Sequence, residues 1–258
     1  MPRLPAIALL LLCATACGSA RHAAATTTQA QKPLPTFAAA RAKTLSAGTA
    51  HFQETATIVI GGNEVKAYDR GTAAFDGSRA HIYKLSVGTA TPGEVIVVGD
   101  VTYSNENVQA AMSSRDVKPW TKLDRRLLSA KERASRPDEL AHVLAPLYLA
   151  YGTRATALDR RVADGAIFWG RIDPALVLKR VPAPRRALIS TAIHGDYPSK
   201  QFNVKFWIDS SDRIRRVIAS YVSPQGTPVA IDASYYDFGA KVDVKLPPKR
   251  SIKVITPN

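Results

Sequence analysis

Two long runs of this chain place apolar residues at every second position, while the stretch between them places them at helical spacing. Few architectures satisfy both. The clearest segment is residues 201–208, where Phe202, Val204, Phe206 and Ile208 alternate with Asn203, Lys205 and Trp207. That is the period of a strand with one dry face. In the first run Phe52, Ala56, Ile58 and Ile60 alternate with polar neighbours, and Gly61-Gly62-Asn63 supplies a tight turn. The return strand carries Val65, Ala67, Gly71, Ala73 and Phe75. After the turn at Asp76-Gly77, Tyr83, Leu85 and Val87 continue the alternation. Residues 95–98 and 101–103 extend this antiparallel meander to four or five strands.

The second run begins at 153–162, turns at Asp164-Gly165 and returns through 167–172. It resumes at 201–208, 214–221, 229–236 and 242–246, with turns at Asp209-Ser210-Ser211-Asp212 and Pro224-Gln225-Gly226-Thr227. Between the runs, residues 107–119 read as a loop, and Trp120-Thr121-Lys122-Leu123-Asp124 opens a polar, helical stretch. Leu140, Val143, Leu144, Leu147, Tyr148 and Tyr151 then fall at helical spacing, with Pro137-Asp138-Glu139 as a first turn. Pro146 predicts a break or kink near Val143, so one helix or two short pieces both fit. Two more helices are expected. Thr36 caps one that carries Phe37, Ala40 and Leu45 and stops at Gly48, and Pro182-Ala183-Pro184 introduces another over 185–194. The sum, about ten antiparallel strands and three helical segments, predicts an α+β fold: a large curved antiparallel sheet whose concave apolar face is covered by helices. Such an arrangement tends to leave an apolar space between sheet and helices.

The N-terminus says where such a body would sit. Arg3 precedes an apolar run from Ala6 to Cys13, and Ala14-Thr15-Ala16 places small residues before Cys17. This has the order of a secretory signal. It also resembles the bacterial lipobox, in which diacylglycerol is attached to the cysteine before cleavage in front of it; the family's usual leucine three residues before the cysteine is Ala14 here. The alternative is an ordinary secreted protein cut after Ala16. A membrane span is excluded by length, since the uncharged stretch at residues 4–20 is 17 residues long and contains Pro5, Gly18 and Ser19, against the ~20 apolar residues needed. Residues 1–16 are thus the expected signal, and 17–35, rich in Ala, Thr and Gln, a lipidated flexible tether. The folded domain is expected over 36–258.

Removing residues 1–16 takes only Arg3 from the 35 basic residues, leaves 21 acidic ones and gives a net charge of +13. The basic residues are scattered, with isolated pairs such as Arg125-Arg126 and Arg215-Arg216, which is the pattern of a solvated surface or of attraction to anionic headgroups. No basic patch interleaved with aromatics favours nucleic acid. No enzyme signature stands out either: His51, His81, His142 and His194 are far apart, and neither HExxH nor GxSxG occurs. Glu54 and Asp69, one on each of the first two strands, would form a paired-carboxylate site only if both faced one pocket; the expected reading is instead a strand edge or a partly wet face. No catalytic residue, metal or cofactor is expected.

Four segments carry a resemblance: Trp120-Thr121-Lys122-Leu123-Asp124, Val162-Ala163-Asp164-Gly165, Phe206-Trp207-Ile208-Asp209, and Tyr236-Asp237-Phe238-Gly239 running to Leu246-Pro247-Pro248. On these the chain resembles the mycobacterial LprG and LppX type of lipid-carrier lipoproteins, built on a half-barrel similar to the carrier LolA, over most of residues 36–248. The resemblance implies an extracytoplasmic protein on the outer face of the plasma membrane, anchored through diacylglycerol on Cys17, that holds an acylated lipid or glycolipid in an apolar cavity. The expected lining is Phe52, Ile58, Phe202, Val204, Phe206 and Ile208 from strands and Leu140, Leu144 and Leu147 from the covering helix. A second reading keeps the fold and makes it a cell-surface module that binds an envelope protein.

Overall fold

The Thr36 hydroxyl accepts a hydrogen bond from the Ala39 amide at 3.2 Å and so starts the first helix, α1 (Phe37–Ser46). The computed structural model describes residues 36–87, 92–105, 120–135, 138–198 and 200–255. All lie in one compact unit, 34–258. The signal-like stretch 1–16, the tether 17–35 with Cys17, and the loop expected at 107–119 lie outside the described residues.

Six strands follow α1: β1 (Thr49–Ile60), β2 (Asn63–Ala74), β3 (Arg79–Val87), β4 (Pro92–Val98), β5 (Val101–Asn105) and β6 (Trp120–Asp124). Next come α2 (Ala130–Ser135), α3 (Glu139–Tyr148), β7 (Thr153–Val162), β8 (Gly165–Ile172), α4 (Pro174–Arg180) and α5 (Ala183–Asp196). The chain ends with β9 (Phe202–Asp209), β10 (Ile214–Val222), β11 (Pro228–Tyr236) and β12 (Ile252–Val254). All twelve strands form one sheet in the order β12-β6-β5-β4-β3-β2-β1-β11-β10-β9-β8-β7. The two meanders join where β1 pairs antiparallel with β11, Phe52 opposite Tyr235. No pairing between β7 and β12 closes the sheet, so the fold is an open α+β half-barrel.

Alternation decides which face is dry. On β9 Phe202, Val204, Phe206 and Ile208 are buried and face the helices, while Asn203 is exposed. β8 adds Ala166, Phe168 and Ile172 in register with Ile208, Phe206 and Phe202, and β11 adds Ile231, Ala233 and Tyr235. Helix α3 lies on this face with Leu140, Leu144, Leu147 and Tyr148 all buried, so helices and sheet share one apolar core.

Several expectations are corrected. Pro146 does not break the insert near Val143; α3 runs through it to Tyr148 and only tightens into a 3₁₀ turn at Leu149–Gly152. Placed two residues from the helix end, Pro146 sacrifices one internal bond where the helix is ending anyway. Residues 120–124 form a strand rather than a helical opening, held between β5 and the parallel β12. The last strand is Ile252–Val254, whereas 242–246 has no regular structure. On β3 the buried residues are Ala80 and Ile82, and Tyr83 and Leu85 face solvent at 45% and 47% exposure. Ile82 pairs with Gly71, where any side chain would collide with the His81 carbonyl of the neighbouring strand. Helix α4 was not expected, although Asp173 accepts from Ala175 N at 3.0 Å and Pro174 occupies its first turn.

Candidate functional site

Eight of the nine candidate lining residues come together. Phe52, Leu140, Leu144, Leu147, Phe202, Val204, Phe206 and Ile208 all belong to the single core between the sheet and its helices. Ile58 does not join them; it is half-buried near the end of β1, two residues before its last residue and the turn to β2. Next to this core, a cleft of about 580 Å³ lies between the 125–133 segment, the start of α3 and α5. Its apolar floor includes Val97, Leu140 and Leu188, and three arginines, Arg125, Arg126 and Arg133, stand around it together with three carboxylates, Asp76, Asp100 and Asp138. Two of these cations are already paired, Arg125 with Asp138 at 3.4 Å and Arg126 with Asp124 at 2.6 Å.

Under α3 the inner face also carries charge. Glu54 on β1 and Asp69 on β2 are direct cross-strand partners, and both are buried, at 3% and 8% exposure. The paired carboxylates seen in the sequence therefore do share one side of the sheet. Asp69 in turn lies opposite Lys84 on β3. From above, α3 brings two side chains down to this row. His142 Nε2 sits 3.4 Å from Glu54 Oε1, its Nδ1 sits 3.0 Å from Asp196 Oδ2 at the end of α5, and Glu139 Oε2 accepts from Lys84 Nζ at 2.6 Å. The second Glu54 oxygen, Oε2, is buried with no hydrogen-bond partner among the described residues.

These positions bend the acidities. Burial is the main cause that pushes the Glu54 carboxyl up to about 7, Asp69 and Asp196 add to it, and His142 opposes it. Burial works against the charged His142 ring, but the hydrogen bond it donates to Asp196, with the nearby carboxylates, outweighs it and raises the ring to about 9. Burial also raises Asp69. Around them Tyr197, Tyr221 and Tyr235 are pushed upward, chiefly by burial, so their hydroxyls stay neutral. Tyr235 donates to the Val143 carbonyl at 3.0 Å and Tyr148 to the Phe75 carbonyl at 2.8 Å, which fixes α3 from both sides. The sequence missed His142, Asp196, Lys84 and Glu139 as members of this cluster. The one available signal was that His142 and Glu139 share the face of a helix bound to lie over a sheet.

Chemically, the arrangement offers an apolar seat, an arginine-rimmed cleft beside it, and a buried acid–imidazole pair. No group of three metal-binding side chains occurs among the described residues.

No protein-family profile and no curated protein matches the chain. Among solved structures it is similar to the lipoprotein LppX of Mycobacterium tuberculosis, at 12% identity over 80% of this chain and 98% of that one, with a TM-score of 0.44. It is also similar to an uncharacterized conserved protein of Thermus thermophilus, at 10% identity over 83% and 95% of the two chains, TM-score 0.38. A third is a LolA superfamily protein of Nitrosomonas europaea, at 8% identity over 76% and 91%, TM-score 0.29. The group named from the sequence motifs is thus represented among them, but likenesses this distant bear on neither ligand nor activity.

Proposed function

We propose that this chain is a lipid-anchored protein of the bacterial cell envelope that binds an acylated lipid or glycolipid between its sheet and its helices, without catalysis. The observation that carries the reading is the cleft beside α3: a floor of Val97, Leu140 and Leu188 continuous with the core, and arginines at its rim. An apolar floor with a charged rim suits an amphiphile, with acyl chains on the floor and a polar headgroup among the arginines and the carboxylates Asp76, Asp100 and Asp138. Shielding an acyl chain is worth about 0.8 kcal/mol per methylene and needs no reactive group. Leu140, Leu144 and Leu147 are packed against the sheet, so an acyl tail that lies there requires α3 to shift. The Cys17 diacylglycerol anchor would hold the body at the outer face of the plasma membrane. No helix among the described residues is long and apolar enough to cross a membrane.

Native mass spectrometry of residues 18–258, produced in a bacterial host and purified without detergent, is expected to show added mass that extracts into organic solvent and matches a phospholipid or glycolipid. A bare polypeptide mass that persists after incubation with membrane lipid extract would reject the ligand reading. It would favour the protein-partner reading instead, for which Tyr83, Leu85 and Trp169 on the outer face are the exposed apolar groups to test first.

A further inference from the structure

Helix α3 is held to the half-barrel by charges that no fold of this kind needs for packing. Its apolar side already buries Leu140, Leu144 and Leu147. Yet its other anchors form a continuous charged row across five elements: Asp196 of α5, His142 of α3, Glu54 of β1, Asp69 of β2, Lys84 of β3, and back to Glu139 of α3. The remaining titratable groups packed around it are Tyr197 after α5, Tyr221 on β10 and Tyr235 on β11. His142 is the joint, since it alone touches both the sheet, at 3.4 Å from Glu54, and α5, at 3.0 Å from Asp196. Glu54 is the weak point. It has one buried oxygen with no partner and a second carboxylate directly across the strand, so its charge is tolerated only while a cation or a proton compensates it.

We propose that α3 is a proton-controlled latch, closed on the sheet while protons on His142 and Glu54 balance the buried carboxylates and released as those protons are lost. The direction follows from the two groups. Glu54 is protonated more readily in the folded chain than its ordinary 4.5, up to about 7, so its contribution is complete below 4.5 and is lost as pH rises to about 7. His142, raised from 6.5 to about 9, contributes fully below 6.5 and loses its contribution as pH rises through about 9. Both therefore loosen α3 in the same direction, towards alkaline pH. The His142 side chain is 35% exposed, so solvent screens part of its share and Glu54 carries the rest.

The latch rests on the charged row and is read on the protein without added lipid, so its failure and the failure of the ligand reading are told apart. Hydrogen-exchange protection, corrected for intrinsic rate, is measured on residues 18–258 purified without detergent, with Phe202–Asp209 as internal reference. Between about pH 5.5 and about pH 8.5 the protection of Glu139–Tyr148 should fall by about tenfold or more relative to that reference, the equivalent of one unit of coupled acidity. Glu54→Gln keeps the shape and removes the charge, so its helix should lose distinctly less protection than wild type over this range, the remainder being the share of His142 beside Asp196. A wild-type helix whose protection is flat, or a Glu54→Gln helix that falls as much as wild type, overturns the latch. Should Glu54→Gln fail to fold, the ring resonances of His142 in the unaltered protein decide. A midpoint well above 6.5 is expected, and one at or below 6.5 overturns the proposal.

Discussion

A Cys17→Ala chain should leave the membrane fraction altogether. The anchor is proposed on sequence alone, and the effect is all or none because one sulfur carries it. Each buried methylene of an attached chain holds about 0.8 kcal/mol of membrane affinity, and two acyl chains, unlike one, make the attachment stable. Without them the apolar run from Ala6 to Cys13 is too short to span. What remains is attraction between the +13 body and anionic headgroups, which a wash at about 1 M salt screens to a Debye length of about 3 Å. Fractionation after such a wash should find the wild type in the pellet and Cys17→Ala in the supernatant. Equal pelleting of both would end the anchoring claim.

The second large effect concerns the seat under the helices. Phe206 has no exposed surface, its ring meets Phe37 of α1 edge-on at 4.6 Å between centroids, and it fills the space left by the absent side chain of Gly170 on β8. Phe206→Ala removes a contact between two layers and leaves a void that Gly170 cannot fill. The expected loss is about 3–5 kcal/mol, a large part of the roughly 5–15 kcal/mol that holds a domain together. At about 2–4 °C per kcal/mol for a chain of this size, thermal unfolding should begin about 10 °C earlier. Phe206→Leu should cost about 1 kcal/mol, within the range of swaps that roughly conserve volume. A loss under about 1 kcal/mol for the alanine variant would mean that β9 does not carry the core as described.

What the sequence reveals depends on how different the two faces of a segment are. β9 is legible because four large apolar side chains oppose asparagine and lysine. β3 is misread because both phases carry apolar residues; Tyr83 and Leu85 are the larger pair, yet the smaller Ala80 and Ile82 fit against the core. β6 and β12 escape notice because all five residues of the first are half-buried and the second is three residues long, so neither has a period, and their parallel pairing joins positions about 130 residues apart. α4 had a readable start in Asp173-Pro174. The candidate site divides in the same way. Its apolar members follow from strand and helix periods. The carboxylates Glu54 and Asp69 were visible, but whether they were wet or buried depended on His142, which reaches Glu54 from a helix far along the chain and is itself held by Asp196.

The central claim is that an acyl chain lies between the sheet and α3. The most direct measurement is photo-crosslinking of the full-length protein with a phospholipid that carries a diazirine at the end of one acyl chain, the adducts being mapped by peptide mass spectrometry. The account predicts adducts on the peptides that contain Glu139–Tyr148 and Phe202–Asp209. Adducts confined to the outer-face peptides with Tyr83 or Trp169 would contradict it.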